Sequence, residues 1–275
     1  MDGAGRPHAD DEEARAAPAF RGNIAVIFLR SLLFHVLFYL NLAAHVIAAT
    51  PTYPLPQSVL IQIARSWGIT SLWLLRLVCG IKVELRGVEK IPRGALLVAA
   101  KHQSAWETFA LLALFPKPTA IVKRELMWLP LFGWCVWKCG MIPVARNAGR
   151  EALPGLIARS RAALARGRQV IIFPEGTRRA VGAKPDYKLG IVQIYAALDV
   201  PCLPIALNSG LFWPRRSFLR YPGTVRVEIL DPLPPGLSRR EFLTRLRNGI
   251  ETASARLAAQ GRRELAAQRP KSARL

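Results

Sequence analysis

Histidine is nearly absent from this 275-residue chain: there are four, at positions 8, 35, 45 and 102. His8 lies in a polar leader, and His35 and His45 lie in a long apolar stretch. Everything after residue 49 therefore carries one imidazole, that of His102. An enzyme in that region using histidine as a proton acceptor near neutral pH has only this base to use. Cysteine is scarce as well. Cys79, Cys135, Cys139 and Cys202 form no CxxC pair, and Cys135 and Cys139 lack companion ligands, so they read as reduced, mostly buried thiols of a cytoplasmic domain rather than a disulfide or metal framework. Acids are few, 18 against 39 Lys and Arg, leaving a net charge of +21. Residues 1–75 balance five arginines with five acids, so residues 76–275 carry the whole excess. Such a field attracts nucleic acid, anionic lipid headgroups or phosphorylated substrates, and charge alone does not choose among them.

The length suits one sizeable α/β domain with an appendage. Residues 1–21 form a polar leader, expected to be disordered. From Ser31 to Ala49 no residue is formally charged. As a helix that stretch reaches roughly 28 Å, against a hydrocarbon core of about 30 Å. A second apolar stretch, Val59 to Ile81, contains Arg65, Trp67, Trp73 and Arg76, and the Pro-rich segment 50–56 separates the two. The run Asp10-Asp11-Glu12-Glu13 argues against a cleaved signal peptide. A single span would place the basic domain opposite the N-terminus. A membrane-associated helical hairpin over residues 22–81, spanning or half-embedded, keeps both ends on the cytoplasmic side, as positive-inside asymmetry favours. Two buried helices of a soluble protein are the remaining alternative.

From Lys82 the pattern alternates. Strands are expected at 82–86, 95–100, 119–123, 169–173, 202–207 and 224–229, and helices at 104–115, 148–166, 188–198 and 239–260. Near-continuous apolar strands alternating with helices predict an α/β domain over 82–260, with a mainly parallel sheet flanked by helices. A basic, Ala-rich tail is expected over 261–275.

Four short segments stand out. The run Lys101-His102-Gln103-Ser104-Ala105-Trp106-Glu107 follows a predicted strand, which puts His102 at the C-terminal edge of the sheet, where α/β proteins place ligands. Glu107 reaches His102 only if His102 precedes the helix and Glu107 lies in its first turn. Ser104 to Glu107 is equally an S-x-x-E capping box, in which the carboxylate serves only the Ser104 N–H. The segment Phe173-Pro174-Glu175-Gly176-Thr177-Arg178-Arg179 offers a tight turn at Gly176, a hydroxyl at Thr177 and a guanidinium fork at Arg178 suited to phosphate. An ordinary solvated turn reads the same way. Gly140 to Arg146 is a short apolar edge ending in arginine, and Val200 to Asn208 is a buried strand bracketed by prolines.

In this order and spacing the four segments resemble the blocks of the glycerolipid acyltransferase family, specifically the bacterial 1-acyl-glycerol-3-phosphate acyltransferases. The first family block carries H-x4-D, standing here as His102-x4-Glu107. The second ends in arginine, as at Arg146. The third, FPEGTRS, matches 173–178 and departs at Arg179, and the fourth, V-P-x-x-P-V, matches Val200 to Ile205. Val122-Lys123-Arg124-Glu125-Leu126, with Leu129-Pro130 and Gly133, fits the pattern between the first two blocks. The likeness covers about residues 80–235.

The resemblance implies a membrane-bound enzyme that moves an acyl group from acyl-CoA or acyl carrier protein to the sn-2 hydroxyl of lysophosphatidic acid, giving phosphatidic acid for phospholipid biosynthesis. It implies His102 as base and Glu107 as its orienting carboxylate. The acceptor phosphate would be held by Arg146, Glu175, Gly176, Thr177 and Arg178, with Lys123 as a further candidate. Glu175 cannot meet phosphate directly and would position its neighbours. No metal or cofactor is implied. The expected setting is the inner membrane, with the catalytic domain cytoplasmic and docked on anionic lipid. Glutamate at 107 adds a methylene to the family's aspartate and changes how the imidazole is approached. Acylation of another lysolipid is the nearest alternative. An inactive membrane-docked scaffold and a nucleic-acid-binding protein are more distant, the latter because no recognised nucleic-acid motif is present.

Overall fold

The computed structural model describes residues 23–145 and 151–267. The polar leader and Arg146 lie outside the described residues. Two antiparallel helices open the fold, α1 (Ile24–Ala49) and α2 (Gln57–Cys79), joined through a 3-10 turn at Thr50–Thr52. Among the described residues, Ile24–Thr52 is the one helix long and apolar enough to cross a membrane. The second helix is half committed to the α/β domain. A Cβ on its Gly68 would sit 2.6 Å from the Phe109 carbonyl oxygen, so only glycine allows this approach.

The domain alternates as expected: β1 (Ile81–Arg86), β2 (Leu96–Ala100), α3 (Trp106–Leu114), β3 (Pro118–Lys123), α4 (Phe132–Lys138), β4 (Ile142–Val144), α5 (Leu153–Leu164), β5 (Gln169–Ile172), α6 (Gly190–Leu198), β6 (Cys202–Leu207), β7 (Gly223–Ile229) and α7 (Arg239–Ala267). The sheet order is β1-β7-β6-β2-β5-β3-β4, and only the β6–β7 pair is antiparallel. In β2 every residue is buried, because successive side chains serve opposite layers. Leu96, Val98 and Ala100 face a core that includes Leu75, Phe109 and Leu111 of the α2–α3 layer. Leu97 and Ala99 face Leu156, Ile191 and Phe242 of α5, α6 and α7.

Two boundaries differ from expectation. The last helix runs on to Ala267, because Gly261 packs under Leu211 and Phe212 and Leu265 is buried, so the expected tail begins as ordered helix. Residues 124–144 supply a 3-10 turn (Arg124–Trp128), α4 and the three-residue strand β4, none anticipated, since each is shorter than the span over which periodicity shows.

Candidate active site

Strands β6, β2 and β5 are neighbours, with β2 parallel to both. Their C-terminal ends therefore release three loops side by side: 101–105, 173–179 and 208–211. Residues distant in sequence meet here, at the edge where open α/β sheets bind ligands.

His102 leaves β2 and turns back before α3 begins. Its ring lies against Phe173, centroids 3.9 Å apart and 16° from parallel. Its Nδ1 is 3.1 Å from Glu107 Oε2. Facing a carboxylate oxygen, Nδ1 is the donor nitrogen, which in the neutral ring leaves the lone pair on Nε2. Among the described residues nothing bonds Nε2. Glu107 sits in the first turn of α3, fully buried, and serves as cap and histidine partner at once. The Ser104 N–H lies 2.9 Å from Oε2 and 3.1 Å from Oε1, and the Ser209 hydroxyl donates to Oε1 from the loop after β6. The Ser104 hydroxyl in turn accepts the Trp106 N–H at 3.0 Å, closing the first turn of α3. With donors already on both oxygens, the carboxylate is held rigidly at the imidazole.

Glu175, grouped by sequence with the phosphate-binding residues, is placed otherwise. Its carboxylate is buried, accepts the His102 backbone N–H at 3.1 Å through Oε2, and pairs through Oε1 with Lys101 Nζ at 2.8 Å. Lys101 also bonds Glu251 of α7 at 2.8 Å, and the Tyr187 hydroxyl donates to Glu251 at 3.0 Å. Burial pushes the Glu175 carboxyl up from its ordinary value, outweighing the pull of Lys101. An acid aimed at backbone and ammonium inside the protein cannot also face a phosphate. Its geometry is that of a brace holding the His102 loop. A second brace is the Arg179 N–H, 2.8 Å from the His102 carbonyl.

Gly176 adopts φ +65° at the turn, where glycine is favoured. It leaves Gly176, Thr177 and Arg178 exposed beyond the braced loop, and no acid among the described residues pairs with Arg178. Lys123 ends β3, two strands from β2, and is exposed. The structure thus brings together His102, Glu107 and Glu175, sets Thr177 and Arg178 on the adjoining rim, and leaves Lys123 further along the same sheet edge.

An apolar cavity of about 240 Å³ adjoins the pair. Both Glu107 and Phe173, the two residues that contact the His102 ring, line it, along with Trp67, Leu111, Phe132 and Cys135, so it lies between α2, α3 and α4. Among the described residues, Glu107 is its only charged lining residue.

Three members of this site escaped the sequence. Lys101 stands beside His102 but signals nothing without its partners. Glu251 lies 150 positions from Lys101, on a helix whose docking no pattern foretells. Ser209 follows the β6 block, and its role depends on β6 lying next to β2.

A family model described as Acyltransferase matches residues 82–208. A 1-acyl-sn-glycerol-3-phosphate acyltransferase of Pseudomonas aeruginosa is 38% identical over 167 residues, 61% of this chain and 65% of that relative, which falls short of two thirds of its length. The human 1-acyl-sn-glycerol-3-phosphate acyltransferase alpha is 28% identical over 190 residues, 66% of this chain and 67% of its own. The crystal structure of a 1-acyl-sn-glycerophosphate (LPA) acyltransferase from Thermotoga maritima superposes with a TM-score of 0.66 at 23% identity, covering 88% of this chain and 99% of that one, a likeness of fold.

Proposed function

We propose, from the match of residues 82–208 to the Acyltransferase family model, that the chain acylates the sn-2 hydroxyl of lysophosphatidic acid, using an acyl thioester of coenzyme A or acyl carrier protein. The observation that carries the reading is the buried His102–Glu107 pair, with Glu107 lining an apolar cavity. His102 Nε2 takes the hydroxyl proton as that oxygen attacks the thioester carbonyl, and Glu107 stabilises the imidazolium that forms. As the C–S bond breaks, the imidazolium returns the proton to the departing thiolate. No enzyme side chain is acylated, because the acceptor hydroxyl occupies the place a serine holds in hydrolases. Arg178 and Thr177 on the rim, Lys123 along the edge and Arg146 beyond the described residues supply donors for the acceptor phosphate.

The hairpin supports this reading. Ser31 Oγ accepts the Arg220 N–H at 2.9 Å, Phe34 and Phe38 pack on Trp213, and Gln57 reaches the Lys138 carbonyl at 2.9 Å. Both ends of the hairpin therefore rest on the catalytic domain. A bilayer-crossing hairpin would drag domain loops through hydrocarbon, where polar backbone is not tolerated. The outward face of α1, including Phe28, Leu32, Val36 and Leu40, is exposed and apolar. It fits a helix embedded in one leaflet, with the domain on the cytoplasmic side of the inner membrane and its basic surface on anionic lipid.

The test is transfer from labelled acyl-CoA or acyl carrier protein to a lysolipid panel, by wild type and His102→Ala. Loss of the base should lower turnover by about 10²–10⁴-fold. Unchanged transfer by the alanine variant refutes the mechanism, and a preference for lysolipids without a phosphomonoester refutes the acceptor.

A further inference from the structure

The segment between β3 and β4 does something the α/β alternation does not require. A crossover there needs only a helix packed on the sheet, yet residues 124–138 display three tryptophans to the outside: Trp128 is 73% exposed, Trp134 60% and Trp137 67%. Leu129 and Leu131 beside them are exposed too. An apolar patch of this kind marks an interaction surface.

The display is built. Leu131 takes φ +59°, ψ −50°, and the Phe132 N–H closes on the Pro130 carbonyl at 2.6 Å, a strained three-residue turn that turns Leu131 outward and starts α4. Gly133 lets α4 lie directly on the preceding turn, since a Cβ there would stand 2.1 Å from the Met127 carbonyl oxygen. The short helix then has two faces. Phe132, Cys135, Val136 and Cys139 line the apolar cavity that Glu107 borders, while Trp134 and Trp137, three residues apart, point the other way. Helix α4 is the wall between that cavity and whatever lies outside.

What lies outside is indicated by the neighbours. Trp134 meets Tyr53 of the hairpin turn edge to face, centroids 5.8 Å apart, and Cys139 Sγ lies 3.7 Å from the Leu60 carbonyl of α2. Trp134 and the C-terminal end of α4 are therefore fixed to the hairpin, and the segment extends its apolar exterior. Lys123 and Arg124 are exposed at the start of the segment and Lys138 is half-buried at its end, against the single acid Glu125. Tryptophans rimmed by cations suit the boundary between headgroups and acyl chains of an anionic leaflet.

We propose that residues 124–138 form a second bilayer-docking element, which seats Trp128, Trp134 and Trp137 at the headgroup–acyl boundary and sets the cavity wall against the leaflet. The proposal rests on the membrane setting argued for the acyltransferase reading and adds to it a contact outside the hairpin.

The experiment uses the full chain, wild type and Trp128→Gln/Trp134→Gln/Trp137→Gln, with vesicles of phosphatidylethanolamine and phosphatidylglycerol, part of the lipid brominated on its acyl chains. Wild-type tryptophan fluorescence should be quenched strongly, and the triple variant should lose most of that quenching while still binding through the hairpin. Transfer to bilayer-embedded lysophosphatidic acid should fall by roughly 10-fold as the apolar contact is lost. Transfer to a short-chain, water-soluble analogue should not change. Equal quenching of both proteins overturns the proposal. So does a triple variant that turns a wild-type dimer into a monomer, which makes the face an interface between copies. Wild type that is quenched yet acylates no lysolipid leaves the docking standing and removes the function reading.

Discussion

Replacing Glu107 with glutamine separates the two duties of this carboxylate. As a cap the amide is nearly equivalent, since glutamine serves the capping box as well as glutamate does. As a partner for imidazolium it is not. The amide oxygen can take the Oε2 position, keeping the Ser104 N–H at 2.9 Å and His102 Nδ1 at 3.1 Å. The amide nitrogen then falls at Oε1, where the Ser104 and Gln103 N–H groups, 3.1 and 3.4 Å away, become opposed donors, and where the Ser209 hydroxyl, now a donor, must rotate and accept. That freedom preserves the working tautomer. In hydrolytic triads the analogous isosteric change enforces the wrong tautomer and lowers turnover by about 10⁴-fold. What Glu107→Gln removes here is the negative charge. Two unit charges about 4 Å apart at an effective dielectric of about 20 attract by about 4 kcal/mol. With half to all of the imidazolium charge developed at the transition state, the loss is about 2–4 kcal/mol, or roughly 30- to 1,000-fold in kcat. The assay pairs single-turnover acyl transfer with thermal unfolding of the same preparation. The expected result is a fall in kcat far larger than the accompanying fall in Tm accounts for. Full activity in the glutamine variant would reduce Glu107 to a helix cap and refute the reasoning.

Ser209→Ala strips one donor from a buried carboxylate and should destabilise the fold by about 1.5–3 kcal/mol, the range for hydrogen bonds to charged groups, together with a fall in kcat. Denaturant titration checks the first, and a Ser209→Thr variant that restores kcat checks that the hydroxyl matters. Lys101→Met leaves Glu175 and Glu251 without their shared cation and should cost about 3–5 kcal/mol. Its pH dependence has a definite sign. The folded Glu175 carboxyl is already raised by burial and rises further without Lys101, so its contribution holds at acid pH and is lost as pH climbs through the folded value. The variant should therefore be closer to wild type in stability at mildly acid pH than at alkaline pH, and parallel wild-type and variant pH profiles would contradict this. Arg178→Ala should raise KM for lysophosphatidic acid by about 10- to 100-fold through loss of a charge-assisted phosphate contact, with a smaller change in kcat. An unchanged KM removes Arg178 from the acceptor site.

Much was legible in the chain itself because it is local. The alternation of apolar strands with helices set the α/β class, and the strand before His102 put the imidazole at the sheet edge. The scarcity of histidine singled out the base, and the charge-free stretch after Ser31 marked the apolar helix. These follow from periodicity and composition, which act within a few residues. What tertiary structure decided is who meets whom. Placing β2 between β5 and β6 brings Glu175 to the His102 N–H and Ser209 to Glu107, contacts spanning 73 and 102 positions. It turns Glu175 from an expected phosphate neighbour into a brace, because its carboxylate finds Lys101 inside the protein before it finds solvent. Docking of α7 brings Glu251 to the same lysine. Strand order and helix docking are settled by the summed burial of whole layers, and no spacing in a single chain records that sum.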